Sequence, residues 1–143
     1  MILEFMRDDH RACDRHYAEA EAALIAKDAT KAAEAFGRFA QATLHHFDRE
    51  EKELFPAFEQ RTGMMGGPTQ MMRYEHQQLR SLLESMRLAL AENRTDDFYG
   101  IGESMMIMLQ QHNMKEEQML YPMIDRVLGT DGSLMIQTLK EMA

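Results

Sequence analysis

Six side chains of the types that bind metal ions stand in this sequence at spacings that suit helices. They are His10, His46, Glu50, His76, His112 and Glu116. Two of the histidines are followed four residues later by a glutamate, and residues four apart on a helix share one face, with Cβ atoms about 5–6 Å apart. Each pair can therefore reach one ion or two adjacent ions, and the chemistry predicted is metal binding by imidazole and carboxylate groups.

The chain repeats itself with an ungapped offset of 66 residues. His10 recurs as His76, and the pair formed by His46 and Glu50 recurs as His112 and Glu116. Each pair is followed by a leucine, an aromatic residue and a proline, in Leu54-Phe55-Pro56 and Leu120-Tyr121-Pro122. These prolines are expected to bend or end their helices. We expect two helical hairpins, over about residues 3–61 and 69–128, related by a pseudo-twofold axis within a single domain spanning residues 1–143.

Apolar residues recur three and four positions apart throughout the chain, and proline and glycine are sparse, which indicates helices. We expect long helices over about residues 3–26, 29–60, 69–91 and 97–128, with Asp28 as the cap of the second and a break at residues 62–68. Residues 133–142 are expected to form a short amphipathic helix. The predicted fold class is all-α, an antiparallel up-down-up-down four-helix bundle with a short C-terminal helix.

Each long helix places one histidine in the row of positions that faces the bundle core. In the fourth helix this row reads Met105, Met108, His112, Glu116, Met119 and Met123. A single histidine in such a row is more often an ordinary core residue than a ligand. Four inward histidines in step with two glutamates favour metal, because burying these groups without compensation is costly.

The number and type of these ligands narrow the choice of metal. A structural zinc site closes with four ligands, usually including thiolates, so six nitrogen and oxygen ligands are too many for one such ion. Mixed imidazole and carboxylate ligands in a bundle core suit a pair of iron or manganese ions. A zinc site, or a structural bundle without metal, is the alternative.

The segment from His46 to Pro56 and its repeat from His112 to Pro122 resemble the paired motifs of hemerythrin-like, or HHE cation-binding, domains. The resemblance covers about residues 3–127 and implies a non-haem di-iron centre bridged by two carboxylates and an oxo or hydroxo group. Oxygen-carrying hemerythrins have a fifth histidine where this chain has Met72. The pattern of four histidines and two glutamates is more similar to the di-iron domain of the family that repairs iron centres after nitrosative stress.

This resemblance implies five ligands for each iron: two histidines, two bridging carboxylate oxygens and one bridging oxygen. A sixth position is then open on both irons, where O₂, NO or peroxide would bind. The function implied is that of a non-haem di-iron protein in redox chemistry or in the response to nitrosative or oxidative stress, with an unidentified electron donor. The alternative is a sensor of O₂ or NO, an oxygen store or an iron reservoir, so whether the protein is an enzyme is left open.

Four acidic residues adjoin the predicted ligands in the sequence. Asp9 and Glu75 precede two of the histidines and could orient a neighbouring imidazole, but a favourable interaction with the helix dipole is the preferred interpretation. Glu51 and Glu117 follow the two glutamate ligands and are expected to face water.

Charge and composition argue against several classes of partner. The net charge of −8, without a cluster of Lys and Arg, argues against nucleic acid and more weakly against an anionic membrane surface. No apolar run approaches the roughly 20 residues that cross a bilayer. Cys13 is the single cysteine, which excludes a disulfide within the chain and suits a reducing compartment. We expect a cytoplasmic monomer or homodimer.

Overall fold

The computed structural model describes all 143 residues, and every regular element in it is helical. In chain order the α-helices are α1 (Ile2–Ile25), α2 (Ala29–Arg49), α3 (Phe55–Thr62), α4 (Pro68–Ala91), α5 (Thr95–Lys115), α6 (Tyr121–Leu128) and α7 (Gly132–Glu141). Two π-helical turns, π1 (Glu50–Leu54) and π2 (Glu116–Leu120), join α2 to α3 and α5 to α6, and a 3-10 turn, Gly129–Asp131, precedes α7. None of these helices combines the length and the apolar character that a membrane crossing requires.

The bundle consists of four long helices, which are α1, α2–π1–α3, α4 and α5–π2–α6. α1 packs along α2, and α4 packs along α5, while α6 contacts α1 and α4 contacts α2. The connections between consecutive long helices, at residues 26–28, 63–67 and 92–94, are short, so neighbours are antiparallel. The predicted all-α four-helix bundle is confirmed, and α7 is the predicted short C-terminal helix.

The local sequence explains where the long helices begin and end. Asp28 caps α2 as predicted, because its carboxylate accepts a hydrogen bond from the backbone N–H of Lys31 at 3.1 Å. Gly63 ends α3 in the left-handed conformation, with φ of 71°. Pro68 occupies the first position of α4, where a helix has no use for its missing N–H.

The two π turns begin at the buried glutamates Glu50 and Glu116. In each turn the backbone N–H of the residue five positions later, Phe55 or Tyr121, donates to the glutamate carbonyl. A proline, which has no N–H to donate, follows immediately. The helices do not end at these prolines, since α3 and α6 each run for eight residues.

Each π turn also moves the side chains that follow it around the helix, because it holds more residues per turn than an α-helix. Uniform α-helical spacing predicts that Met119 and Met123 face the core. Leu120 and Ile124 are buried instead, whereas Met119 is 60% exposed and Met123 is only partly buried. The predicted core position Met119 is therefore wrong, whereas Met123 packs against one of the apolar clusters from a partly buried position.

Two apolar clusters form the core, and the predicted ligands lie in a polar layer between them. Along α1, His10 lies between Met6 of one cluster and Cys13 of the other. Along α4, Met72 and Leu79 flank the histidine of that helix in the same way. Apolar side chains therefore enclose the polar layer on both sides and keep bulk water from it.

Candidate metal centre

All six predicted ligand residues are buried, with exposed fractions of 4% for His10, 2% for His46 and 0% for the other four. Their nitrogen and oxygen atoms form two groups, and within each group all the atoms lie within 4.8 Å of one another. The groups are Glu50, His76, His112 and Glu116, and His10, His46 and Glu116. Because Glu116 belongs to both groups, its carboxylate lies between two positions that could each hold a metal ion.

Each of the four imidazoles is oriented by a carboxylate on a different long helix. The Nδ1 atoms donate hydrogen bonds outward, in the pairs His10–Glu117 at 2.9 Å, His46–Asp9 at 2.8 Å, His76–Glu51 at 2.5 Å and His112–Glu75 at 2.8 Å. With the proton on Nδ1, the lone pair of Nε2 is free and points into the cluster. This arrangement presents a histidine to a metal ion and raises the basicity of the ring.

These contacts change the interpretation of the four adjoining acids. Asp9 and Glu75 orient neighbouring imidazoles, so the preferred interpretation as helix-dipole acids is wrong. Glu51 and Glu117 do not simply face water, because each accepts a hydrogen bond from an imidazole. Both follow the first residue of a π turn, and the wider turn directs them toward the neighbouring helix.

Basic residues hold three of these four acids in place. Arg80 contacts Glu51 through both of its terminal nitrogens, at 2.9 and 3.1 Å. Burial would raise the pKa of Glu51, but hydrogen bonds from His76 and Arg80 lower it to about 2. Asp9 pairs with Arg49 and Glu75 with Lys115 in the same way, so these acids stay ionised and accept hydrogen bonds at neutral pH.

Four buried polar atoms in the cluster have no hydrogen-bond partner: Glu50 Oε1, His76 Nε2, His112 Nε2 and Glu116 Oε2. His76 Nε2 lies 3.1 Å from Glu50 Oε1 but without the alignment of a hydrogen bond. Buried groups left in this state are costly, and a cation placed among them would accept all four lone pairs. All four atoms belong to residues of one of the two groups, so this part of the cluster fits a metal ion.

The pKa shifts in the cluster also indicate that it favours a bound cation. Burial, together with the negative charge of Glu116, raises the pKa of Glu50. Burial alone would lower the pKa of His112, but the negative charge of the nearby Glu116 carboxylate raises it to about 9. Two carboxylates in an apolar enclosure thus draw positive charge toward themselves, which a metal ion supplies without a proton.

The family model of the Hemerythrin HHE cation binding domain matches residues 1–124. The chain belongs to this family. Comparisons with curated proteins and with solved structures found no match. Membership of the HHE family and the buried cluster of histidines and glutamates together indicate a metal-binding site.

Sequence reasoning missed one residue of the site in this HHE domain. The Tyr121 hydroxyl lies 2.7 Å from Glu50 Oε2, 3.0 Å from Glu116 Oε1, 3.2 Å from His10 Nε2 and 3.3 Å from His46 Nε2. Tyr121 stands five residues after Glu116, and uniform α-helical spacing would turn it away from the cluster, but π2 turns it inward. The signal in the sequence is that this tyrosine stands where the other half of the repeat has a phenylalanine, Phe55.

The remaining histidines of the HHE domain, His16 and His45, lie outside the cluster and are partly buried. His45 donates a hydrogen bond from Nε2 to the Met142 carbonyl at 3.2 Å, and His16 is half-buried. Cys13 is buried one turn from His10, where burial raises the pKa of its thiol. None of these three residues contributes an atom to the two ligand groups.

Proposed function

We propose that this chain binds two iron ions between its long helices. The ligands would be His10, His46, Glu50, His76, His112 and Glu116, and the carboxylate of Glu116, which belongs to both ligand groups, would serve both ions. Two adjacent irons supply redox chemistry toward small molecules, and the physiological ligand is O₂, NO or peroxide. The protein acts in redox metabolism or in the response to nitrosative or oxidative stress.

One observation carries this proposal: four imidazoles, each fixed by an outer carboxylate, direct Nε2 toward two fully buried carboxylates. An apolar enclosure that gathers so many lone pairs is costly unless a cation occupies it. Four nitrogens and two carboxylates exceed what one four-coordinate zinc ion needs. Imidazole and carboxylate ligands without thiolate favour iron or manganese, and iron is the better match in a helical bundle.

The residues of this chain have three tasks in that function. The outer acids hold the proton on Nδ1 of each imidazole, which keeps the four Nε2 lone pairs available. The two apolar clusters exclude bulk water and limit access to small, weakly polar molecules. The Tyr121 hydroxyl lies close enough to donate a hydrogen bond into the cluster.

A non-catalytic function is the second candidate, in which the same site is a sensor of O₂ or NO, an oxygen store or an iron reservoir. The observation that favours it is the close enclosure of the site, since no ligand-group residue is more than 4% exposed. Turnover of NO, O₂ or peroxide with a chemical reductant separates the two candidates. Sustained turnover supports the redox function, and one reversible binding event per site supports sensing or storage.

The test of metal binding is the iron content of the protein expressed with iron, together with its absorption spectrum before and after anaerobic reduction. We expect about two irons per chain and an oxo-bridge absorption that disappears on reduction. His46→Gln is expected to lose iron, while the matched variant His16→Gln, which alters a histidine outside the cluster, keeps it. Less than one iron per chain in a folded wild-type protein would overturn the proposal.

A further inference from the structure

Tyr121 enters the cluster in only one half of the repeat. Its counterpart in the other half is Phe55, whose ring lies near that of His76, with centroids 5.9 Å apart and an angle of 16° between the ring planes. Phe55 brings no polar atom. At this position the two halves, which match in their ligand residues, differ by one phenol oxygen, and that oxygen lies on the side of His10 and His46.

Three of the four distances around this oxygen match those between ligands of one metal ion. Two atoms bound at about 2.1 Å from an ion stand about 3.0 Å apart at right angles and about 3.4 Å apart in a tetrahedron. The Tyr121 oxygen lies 3.2 Å from His10 Nε2, 3.3 Å from His46 Nε2 and 3.0 Å from Glu116 Oε1. Between the other atoms, Glu116 Oε1 lies 3.1 Å from His10 Nε2 and 4.0 Å from His46 Nε2.

Hydrogen bonding alone does not account for this position. A tyrosine hydroxyl has one proton to donate, and the two Nε2 atoms have none to give it when the imidazole protons are on Nδ1. Four ligand atoms of the cluster nevertheless lie within 3.3 Å of the Tyr121 oxygen. An ion among His10, His46 and Glu116 would lie at bonding distance from the phenol oxygen as well.

We propose that the Tyr121 oxygen is a further ligand of the metal ion held by His10, His46 and Glu116, an inference that rests on the metal binding proposed above. The phenol exchanges its proton for the ion, and the proton passes to solvent. The two metal positions of this chain are then unequal. The position near His10 and His46 is closed by Tyr121, and the position near His76 and His112 keeps an open place for a small molecule.

This inference changes the expectation that a sixth position is open on both irons. Small molecules bind to one iron only, on the side where Phe55 stands in place of a tyrosine. Phe55 and Phe47, whose ring stacks on that of His76 with centroids 4.0 Å apart, make the wall of this side apolar. An apolar wall suits an uncharged diatomic molecule better than a strongly hydrated anion.

The test is the visible absorption and resonance Raman spectrum of the protein loaded with iron(III). Wild-type protein is expected to show a phenolate-to-iron charge-transfer band whose excitation enhances tyrosine ring vibrations, and these shift when ring-deuterated tyrosine is incorporated. Tyr121→Phe is expected to lose the band completely, and Tyr74→Phe, a change at a tyrosine 61% exposed, is expected to keep it. A hydrogen-bonding role alone would give no such band.

Iron content measured on the same samples distinguishes failure of the Tyr121 proposal from failure of the metal-binding proposal. About two irons per wild-type chain without phenolate vibrations would overturn the role of Tyr121 and leave the metal site standing. No bound iron would overturn both proposals. Azide titration of the iron(III) protein measures the number of open positions. We expect one bound azide per chain in wild type and two in Tyr121→Phe. Equal numbers would overturn the inequality of the two metal positions. The wild-type deuterium shift needs no variant, so misfolding of Tyr121→Phe would not leave the inference untested.

Discussion

Glu117 Oε2 lies 2.9 Å from Nδ1 of His10, so an acid of the fourth long helix orients an imidazole of the first. The same relationship recurs from each long helix to the next, in the pairs Asp9–His46, Glu51–His76 and Glu75–His112. The four hydrogen bonds thus form a closed ring around the bundle. Apolar packing tolerates small rotations of a helix, whereas this ring fixes the rotation of each long helix at the level of the site.

Replacing Glu117 with alanine tests whether the ring supports metal binding. Glu117→Ala leaves Nδ1 of His10 without its acceptor, so the ring can rotate or change tautomer. We expect the affinity for iron to fall about 10–100-fold, as for other residues that orient metal-binding histidines. Competition with a chelator measures the loss.

Two variants control this experiment. Glu117→Gln keeps an oxygen acceptor and is expected to recover most of the affinity, and Gln118→Ala changes the next, exposed residue and is expected to have no effect. Equal affinity in wild type and Glu117→Ala would show that the hydrogen bond does not contribute to metal binding.

Arg49 connects α7 to the site and provides a second prediction. Its Nε donates to the Leu139 carbonyl at 3.2 Å, and its Nη1 lies 3.0 Å from Asp9 Oδ2, the acid that orients His46. The two contacts come from different nitrogens of the guanidinium, and the single nitrogen of lysine cannot occupy both of their positions. We expect Arg49→Lys to speed hydrogen exchange of the α7 amides and to lower iron affinity severalfold.

The matched control for this prediction is Arg38→Lys. Arg38 is half exposed, and its ion pair with Glu19 at 3.5 Å lies outside the cluster. Hydrogen exchange in residues 132–141 that is the same in Arg49→Lys and in wild type would contradict the coupling of α7 to the site.

Two glycines of α5 give opposite predictions for the same substitution. Alanine normally stabilises a helix interior by about 0.5–1 kcal/mol relative to glycine. At Gly102, however, an added Cβ would clash with the Tyr17 hydroxyl oxygen and lie 3.1 Å from Met86 Cε, whereas at Gly100 it would meet nothing within 4 Å. We expect Gly102→Ala to lower the free energy of unfolding and Gly100→Ala to raise it, as measured by urea denaturation.

The double variant Gly102→Ala/Tyr17→Phe tests the cause of the first effect. Removing the hydroxyl removes the closest contact, so the double variant is expected to regain part of the lost stability. If Gly102→Ala raises the free energy of unfolding as much as Gly100→Ala does, the result would contradict the close packing of α1 against α5 at Tyr17.

The raised pKa of Tyr17 leads us to expect that the free energy of unfolding falls at alkaline pH. Burial, followed by the negative charge of Glu21, raises its pKa from 10.0 to about 12. The unfolded chain therefore loses this proton at lower pH than the folded chain, so the contribution of Tyr17 is unchanged below about pH 10 and is lost as the pH rises toward 12. At pH 11 the loss amounts to about 1 kcal/mol.

Urea denaturation at pH 9 and pH 11 measures this contribution. The difference between the two pH values is expected to be smaller in Tyr17→Phe than in wild type, since the phenol that titrates is absent. Tyr74→Phe, which changes an exposed tyrosine, serves as the control. The same pH dependence in wild type and Tyr17→Phe would contradict the prediction.

The sequence by itself determined the fold class and which residues meet at the site. Helical spacing of apolar residues and the 66-residue repeat give four amphipathic helices, and short connections leave an antiparallel bundle as their natural arrangement. Within each helix, His46 with Glu50 and His112 with Glu116 lie on one face because four residues make about one turn. Such information is local, so it is readable without the structure.

Only the tertiary structure decided which side chains of neighbouring helices contact one another at the site. Asp9 lies next to His10 in the sequence but orients His46 on another helix, a contact that no spacing within one helix encodes. The π turn after Glu116 breaks the uniform period, and this turns Tyr121 into the cluster and Met119 out of the core. Both features depend on how neighbouring helices pack and on a local change in helical period, and periodicity read along one chain assumes that neither occurs.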